Sequence, residues 1–232
     1  MIEHGIRRWT VALLIAACTS YAHCSEITAT VHIDHATPHQ VSPANVVVWL
    51  TPMSTSLPVP TPKTNVKLTQ KNKEFLPHLL VVPTGTSVEF PNMDPFFHNV
   101  FSLFNGKRFD LGLYEAGSHR SVLFDREGVS YIFCNIHPQM AAVVVSLNSP
   151  WYAISDPAGS IVIHDVPPGR YHLHVWAEQL ALSSSTRNNE IIDVPKERYE
   201  LGNLDFHRTN TLTMHHKNKF GKDYAPEVHA DY

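Results

Sequence analysis

No arginine-rich run or basic patch occurs in the 232 residues, and the formal net charge is −3. Such a chain offers little to a polyphosphate, which argues against nucleic acid as a partner. Charged residues make up only 17% against 43% hydrophobic, a balance that excludes a disordered or fibrous chain. Helical periodicity is nearly absent, and no internal repeat is visible. Past the N-terminal segment no apolar run is long enough to cross a membrane. No Ser-His-Asp pattern, phosphate loop or paired carboxylate stands out. Cysteine is sparse, with Cys18, Cys24 and Cys134 only, whereas histidine is abundant at 16 residues. That many imidazoles make metal affinity an early expectation.

Residues 1–22 read as an export signal, with Arg7 and Arg8 ahead of the short apolar segment from Val11 to Ala17. Two exits fit it: cleavage after Ala22, or lipidation of Cys18 at the lipobox-like Leu14-Ile15-Ala16-Ala17-Cys18. Either way the expected compartment is the periplasm, with a lipid at Cys18 as the sole membrane attachment. Cleavage after Ala22 leaves Cys24 and Cys134, which an oxidising compartment would join as a disulfide. Cys24 would then sit in a frayed terminus, where a bridge constrains little. A reduced Cys134 needs a reason, and a bound metal supplies one. Both readings stay open at this level.

The remainder reads as all-β. Ile27, Ala29, Val31 and Ile33 alternate with Thr28, Thr30 and His32, the pattern of a half-buried strand. Val46-Val47-Val48-Trp49-Leu50 is unbroken, as expected of a strand covered on both faces. Residues 52–64 carry four prolines and read as an extended linker. Strands are expected at 79–82, 87–90, 98–103, 121–124, 129–134 and 141–147. After the Asn148-Ser149-Pro150 break they recur at 161–163, 171–176, 190–194 and 199–206. Residues 211–232 are polar and read as a flexible tail.

The stretch FCNIHPQM (133–140) concentrates the chemistry. Cys134, His137 and Met140, each three residues apart, offer a thiolate, an imidazole and a thioether from one loop. Blue-copper chemistry uses two histidines and a cysteine in a trigonal array, with a weak axial methionine. FPNMDPFFHNVFS (90–102) supplies the missing imidazole in His98. Cysteine and methionine taken singly are ordinary core residues in β-proteins. It is their spacing, together with the upstream His98-Asn99, that favours a metal site.

These segments resemble the cupredoxins, the type-1 blue-copper family, and most closely the plastocyanin, pseudoazurin and amicyanin group with its short ligand loop. The resemblance covers about residues 66–147. KEFLPHLLVVPTGTSVEF and FNGKRFDLGLY also look like bacterial proteins labelled methylamine utilisation proteins. It implies a Greek-key β-sandwich holding one copper on His98, Cys134, His137 and Met140. It further implies that Asn99 hydrogen-bonds toward the Cys134 loop near Asn135, and that His137 presents its edge to the surface as the electron's route. Phe96, Phe97 and Pro138 would form an apolar docking collar for a periplasmic dehydrogenase, cytochrome or oxidase. A single type-1 site brings no substrate pocket, so an enzyme is not expected. The alternative role is a copper chaperone or storage protein.

Residues 155–176, SDPAGSIVIHDVPPGRYHLHVW, resemble the carboxypeptidase regulatory-like, transthyretin-like sandwich. Its opening strands are absent directly upstream, so residues 27–52 are expected to complete it with 150–206. The cupredoxin-like segment would then be inserted into a discontinuous module. His172 and His174 share one strand face with Trp176 and read as solvent-facing. Terminal histidines such as His32, His35, His39, His215, His216 and His229 read as solvated.

Overall fold

The unbroken apolar run at 46–50 has its explanation in the sheet stacking. In the computed structural model, which describes residues 25–34, 42–54, 60–103, 106–178, 180–183, 188–208 and 216–224, every regular element is a strand. The expected export segment, Cys18 and Cys24 lie outside these residues.

Two strands open the described chain, β1 (Ser25–Ile33) and β2 (Val47–Pro52). Next come β3 (Val66–Lys67), β4 (Thr69–Lys71), β5 (Glu74–Leu76), β6 (Leu79–Pro83) and β7 (Thr86–Pro91). They are followed by β8 (His98–Ser102), β9 (Phe109–Tyr114), β10 (His119–Phe124), β11 (Gly128–Cys134) and β12 (Ala141–Leu147). The last six are β13 (Tyr152–Ile154), β14 (Ser160–Val166), β15 (Gly169–Trp176), β16 (Leu180–Leu182), β17 (Ile191–Val194) and β18 (Tyr199–Arg208).

Four principal sheets stack in layers. The outermost has the order β14-β1-β18-β16, and it faces β13-β2-β15-β17 across a core of Ile27, Val48, Leu50, Ile163, Leu173 and Phe206 among others. The second pair is β6-β12-β11-β8-β9 against β10-β7-β3, closed over Phe90, Val100, Tyr114, Phe124, Ile132 and Val144. Between the two sandwiches lies a third apolar layer of Val47, Val81, Val143, Val145 and Leu147, edged by Trp49, Tyr131 and Trp176. Along β2, Val47 and Trp49 therefore face one layer while Val48 and Leu50 face the other. An unbroken apolar strand is what two covered faces require. β12 shows the same division, with Ala142 and Val144 inward and Val143 and Val145 toward the neighbouring sandwich.

The N-terminal strands belong with the C-terminal ones. β2 pairs antiparallel with β15, placing Leu50 opposite Leu173, and β1 lies between β14 and β18. All strands from β3 to β12 sit in other sheets. Six strands exceed the sequence reading: β3, the β4–β5 hairpin, β9, β13 and β16. They are brief or polar, and β9 carries Gly112 at a positive φ of 69°, so no clean alternation marks them.

Leu147 is 1% exposed in the layer between the sandwiches. Leu147→Ala should lower the unfolding free energy by about 2–5 kcal/mol in a denaturant titration. A loss under about 0.5 kcal/mol would mean that this layer is not packed.

Candidate metal centre

Strand pairing brings the donors together. β8 and β11 are antiparallel neighbours, with Val100 opposite Cys134 and Phe101 opposite Phe133. Cross-strand partners share a face, as do residues two apart, so His98, Val100 and Cys134 all point into one core. His98 begins β8 where Cys134 ends β11, so both stand at the same end of the sandwich. The 134–140 loop then folds back on itself. Met140 N–H donates to the His137 carbonyl at 3.1 Å, and Cys134 N–H donates to the Met140 carbonyl at 3.2 Å. Met140 is thereby held beside Cys134 and is fully buried in the same apolar core.

His98 Nδ1 lies 3.7 Å and His137 Nδ1 3.6 Å from Cys134 Sγ, and the three donor atoms fall within 4.8 Å of one another. Donors bound about 2.0–2.3 Å from one ion stand roughly 3.5–3.8 Å apart in tetrahedral or trigonal arrangement, so these side chains fit a shared metal. Among the described residues no other trio of histidine, cysteine or carboxylate donors converges in this way. Cys134 is a free, fully buried cysteine, and Cys24, the partner in the disulfide alternative, lies outside the described residues.

The surroundings favour charge on the ligands. Burial pushes the Cys134 thiol up and is the largest single influence. The hydrogen bond with His98 and the backbone N–H groups of Asn99, Ile136 and His137 outweigh it, so the thiol lies below its ordinary range. His98 is raised in the metal-free site, because Cys134 and Asp94 together overcome a burial effect that acts downward. Asp94 is a residue to which the sequence reading gave no role. Its Oδ2 accepts from His98 Nε2 at 2.8 Å. The backbone N–H groups of Asn72 and Lys73 donate to the same carboxylate at 2.6 and 3.0 Å. Asn72 and Lys73 both take φ of 57°, so the tight tip of the β4–β5 hairpin aims two N–H groups at Asp94. Burial pushes Asp94 up most strongly, but these bonds hold it below the usual carboxylate value. A carboxylate that fixes the far nitrogen of a metal-binding imidazole sets its tautomer and orientation.

Two expectations require correction. The Asn99 side chain does not reach toward Asn135: its Nδ2 donates to Asp110 Oδ1 at 2.7 Å. Asn99 alternates with the inward His98, and an irregularity in the β8–β9 register brings Asp110 alongside it. Only its backbone N–H serves Cys134. Asn135 instead accepts the backbone N–H of Lys219 at 3.0 Å. Nor is the C-terminal tail flexible throughout, because residues 216–224 lie on the ligand loop, where the His216 ring stacks on Phe133 at 3.9 Å.

Around the donors, Phe96 packs against both imidazoles, with ring centroids 5.2 Å from His98 and 5.5 Å from His137. It is thus part of the site wall, while Phe97 beside it is 57% exposed and Ile136 beside His137 is 43% exposed. His137 and Pro138 are half-buried. His174, read from sequence as solvent-facing, is half-buried and stacks on Trp49 at 4.9 Å. His32 pairs with Asp205 at 3.0 Å, while His35, His39, His215 and His229 lie outside the described residues.

No protein-family model and no curated protein matches the chain. Among solved structures it is similar to a purple cupredoxin from Nitrosopumilus maritimus, at 25% identity and a TM-score of 0.33, over 36% of this chain and all of that one. It is also similar to a copper-containing nitrite reductase from Thermus scotoductus, at 24% identity and a TM-score of 0.34, over 43% of this chain and only 25% of the reductase. A mutant of amicyanin in its oxidized state matches at 20% identity and a TM-score of 0.34, over 35% of this chain and 81% of that one.

The Asp94–His98 pair makes metal-free stability depend on pH. A lowered carboxyl contributes above its unfolded value of about 4 and loses that contribution as pH falls through the folded one. A raised imidazole contributes below its unfolded value of about 6.5 and loses that contribution as pH rises through the folded one. Asp94→Asn should therefore cost roughly 1–3 kcal/mol between about pH 4 and 6.5, with a smaller deficit at more acid pH. Metal-free unfolding titrations across pH check this, and a deficit independent of pH would contradict it.

Proposed function

We propose that the protein is a periplasmic mononuclear type-1 copper protein that carries electrons between redox partners. The observation carrying this reading is the convergence of two imidazole nitrogens on one buried thiolate, with the Met140 thioether in the same loop. Distances alone do not choose the metal; the donor set supports copper. Structural zinc is held by four cysteine, histidine or carboxylate donors, whereas a weak thioether beside two histidines and a cysteine suits copper. His98, Cys134 and His137 would hold the ion strongly and the Met140 thioether would be the weak ligand. Copper there supplies a one-electron Cu(II)/Cu(I) couple.

The chain's own groups do the rest. Three backbone N–H groups on Cys134 Sγ withdraw electron density from the sulfur, a recognised means of tuning potential. Asp94 and the hairpin tip hold His98, and the apolar core excludes water, so the ligands are organised before any metal arrives. The half-buried His137, with exposed Ile136 and Phe97 near the ligands, supports an electron exit and a docking face at this end. The partner would be a periplasmic dehydrogenase, cytochrome or oxidase. Residues 27–52 and 150–206 would form one discontinuous accessory sandwich around the inserted copper module, as the β2–β15 pairing supports.

Addition of one equivalent of Cu(II) should give an intense visible thiolate-to-copper band that dithionite bleaches reversibly, and Cys134→Ser should abolish it. A colourless protein that takes up only Cu(I) would favour a chaperone or storage role, and uptake of zinc alone would overturn the copper reading.

A further inference from the structure

Residues 216–224 contact the ligand loop at three points, from 78 to 90 positions away in sequence. His216 lies flat on Phe133, with an interplanar angle of 24°, and its Nε2 meets the Pro138 carbonyl at 2.8 Å. A carbonyl only accepts, so Nε2 carries the proton. Burial lowers the His216 pKa, and Nδ1 on the other side of the ring lies 3.3 Å from the Lys217 carbonyl. Tyr224 faces that ring edge-on, and its hydroxyl sits 2.8 Å from the Cys134 carbonyl and 3.1 Å from His216 Nδ1. Its proton goes to the Cys134 carbonyl, the nearer of the two. At the third point Lys219 donates its backbone N–H to Asn135 and its Nζ to Asp110 Oδ2 at 2.7 Å. The other Asp110 oxygen accepts the Asn99 amide, so Lys219 links the Cys134 loop to the strand that carries His98.

The segment is internally braced for this task. Asn218 Oδ1 accepts the N–H groups of Phe220 and Lys222 at 3.0 and 3.1 Å, and Asn218 N–H donates to the Lys222 carbonyl at 2.9 Å. Gly221, at a φ of 73°, makes the turn that an L side chain would strain. Its contacts converge on the backbone of the stretch that carries Cys134 and His137. A segment recruited only for burial would not leave Phe220 70% exposed.

We propose that residues 216–224 are a clasp that holds the metal-ligand loop in its binding geometry, with Tyr224, His216 and Lys219 as positioning residues. Tyr224 and His216 act through the carbonyls of Cys134 and Pro138, and Lys219 acts through Asn135 and Asp110. Two carbonyls that would otherwise turn toward water are tied down, which narrows the ensemble of loop conformations in the metal-free protein. Preorganisation of that kind is what keeps a ligand cage from opening when no ion is present.

Only the copper arm of the test rests on the copper reading. In the full-length metal-free protein, modification of Cys134 by a small alkylating reagent, followed by peptide mass, should be about 3–10-fold faster in Tyr224→Phe and in His216→Phe. That range is the loss of one hydrogen bond expressed as loop opening. Both variants keep the aromatic ring and so preserve the stacking. Lys217→Ala, whose side chain pairs with Asp223 at 3.8 Å, should leave the rate unchanged. In the copper arm, Tyr224→Phe should shift the copper hyperfine splitting in the paramagnetic resonance spectrum while thermal melting stays near wild type. A Cys134 rate within twofold of wild type in both aromatic variants overturns the clasp, as does an equal acceleration by Lys217→Ala. A wild-type protein that binds no copper refutes the copper reading, while the alkylation rates still decide the clasp.

Discussion

The structure depends on one register: Val100 of β8 beside Cys134 of β11. Antiparallel pairing puts the start of one strand against the end of the other, so His98 and Cys134 meet on a single inward face. A shift of one residue would send Cys134 to the opposite face and leave His98 in the core with no sulfur nearby. The burial of Val100, Ile132 and Cys134 in one core fixes that register. The donors are thus placed by the same packing that closes the sandwich.

Burial then sets an electrostatic problem, since His98 and Cys134 are withdrawn from water while His137 is half-buried. The solution is layered. Cys134 receives backbone N–H groups and an imidazole, His98 receives the Asp94 carboxylate, and Asp94 receives the tip of a hairpin. Each buried charge has a partner of opposite sign or a directed donor, as buried ionic groups need. The short β4–β5 hairpin, otherwise an unremarkable excursion, acquires its purpose as a cap on that chain of bonds.

What the sequence disclosed follows from distance along the chain. Cys134, His137 and Met140 were readable because one loop carries them all, and His98 because its neighbour Asn99 and the strand pattern marked it. The run at 46–50 showed that β2 is covered twice, and the incomplete motif at 155–176 pointed to strands supplied from the N-terminal side. Contacts made by a bulge or by remote segments were not readable. Asn99 meets Asp110 because of a local register irregularity, and Asp94 meets Asn72 and Lys73 through a turn whose φ angles no propensity announces. The polar composition of 211–232 suggested mobility, because the groups that hold 216–224, two backbone carbonyls with the side chains of Asn135, Asp110 and Phe133, lie far away in sequence.

The claim beneath all of this is that two nitrogens and one sulfur from β8 and the 134–140 loop surround a single copper ion. The copper X-ray absorption spectrum of the loaded full-length protein tests it most directly. The account predicts one short copper–sulfur distance together with two imidazole nitrogens in the inner shell. A shell of nitrogen and oxygen alone, with no sulfur at bonding distance, would contradict it.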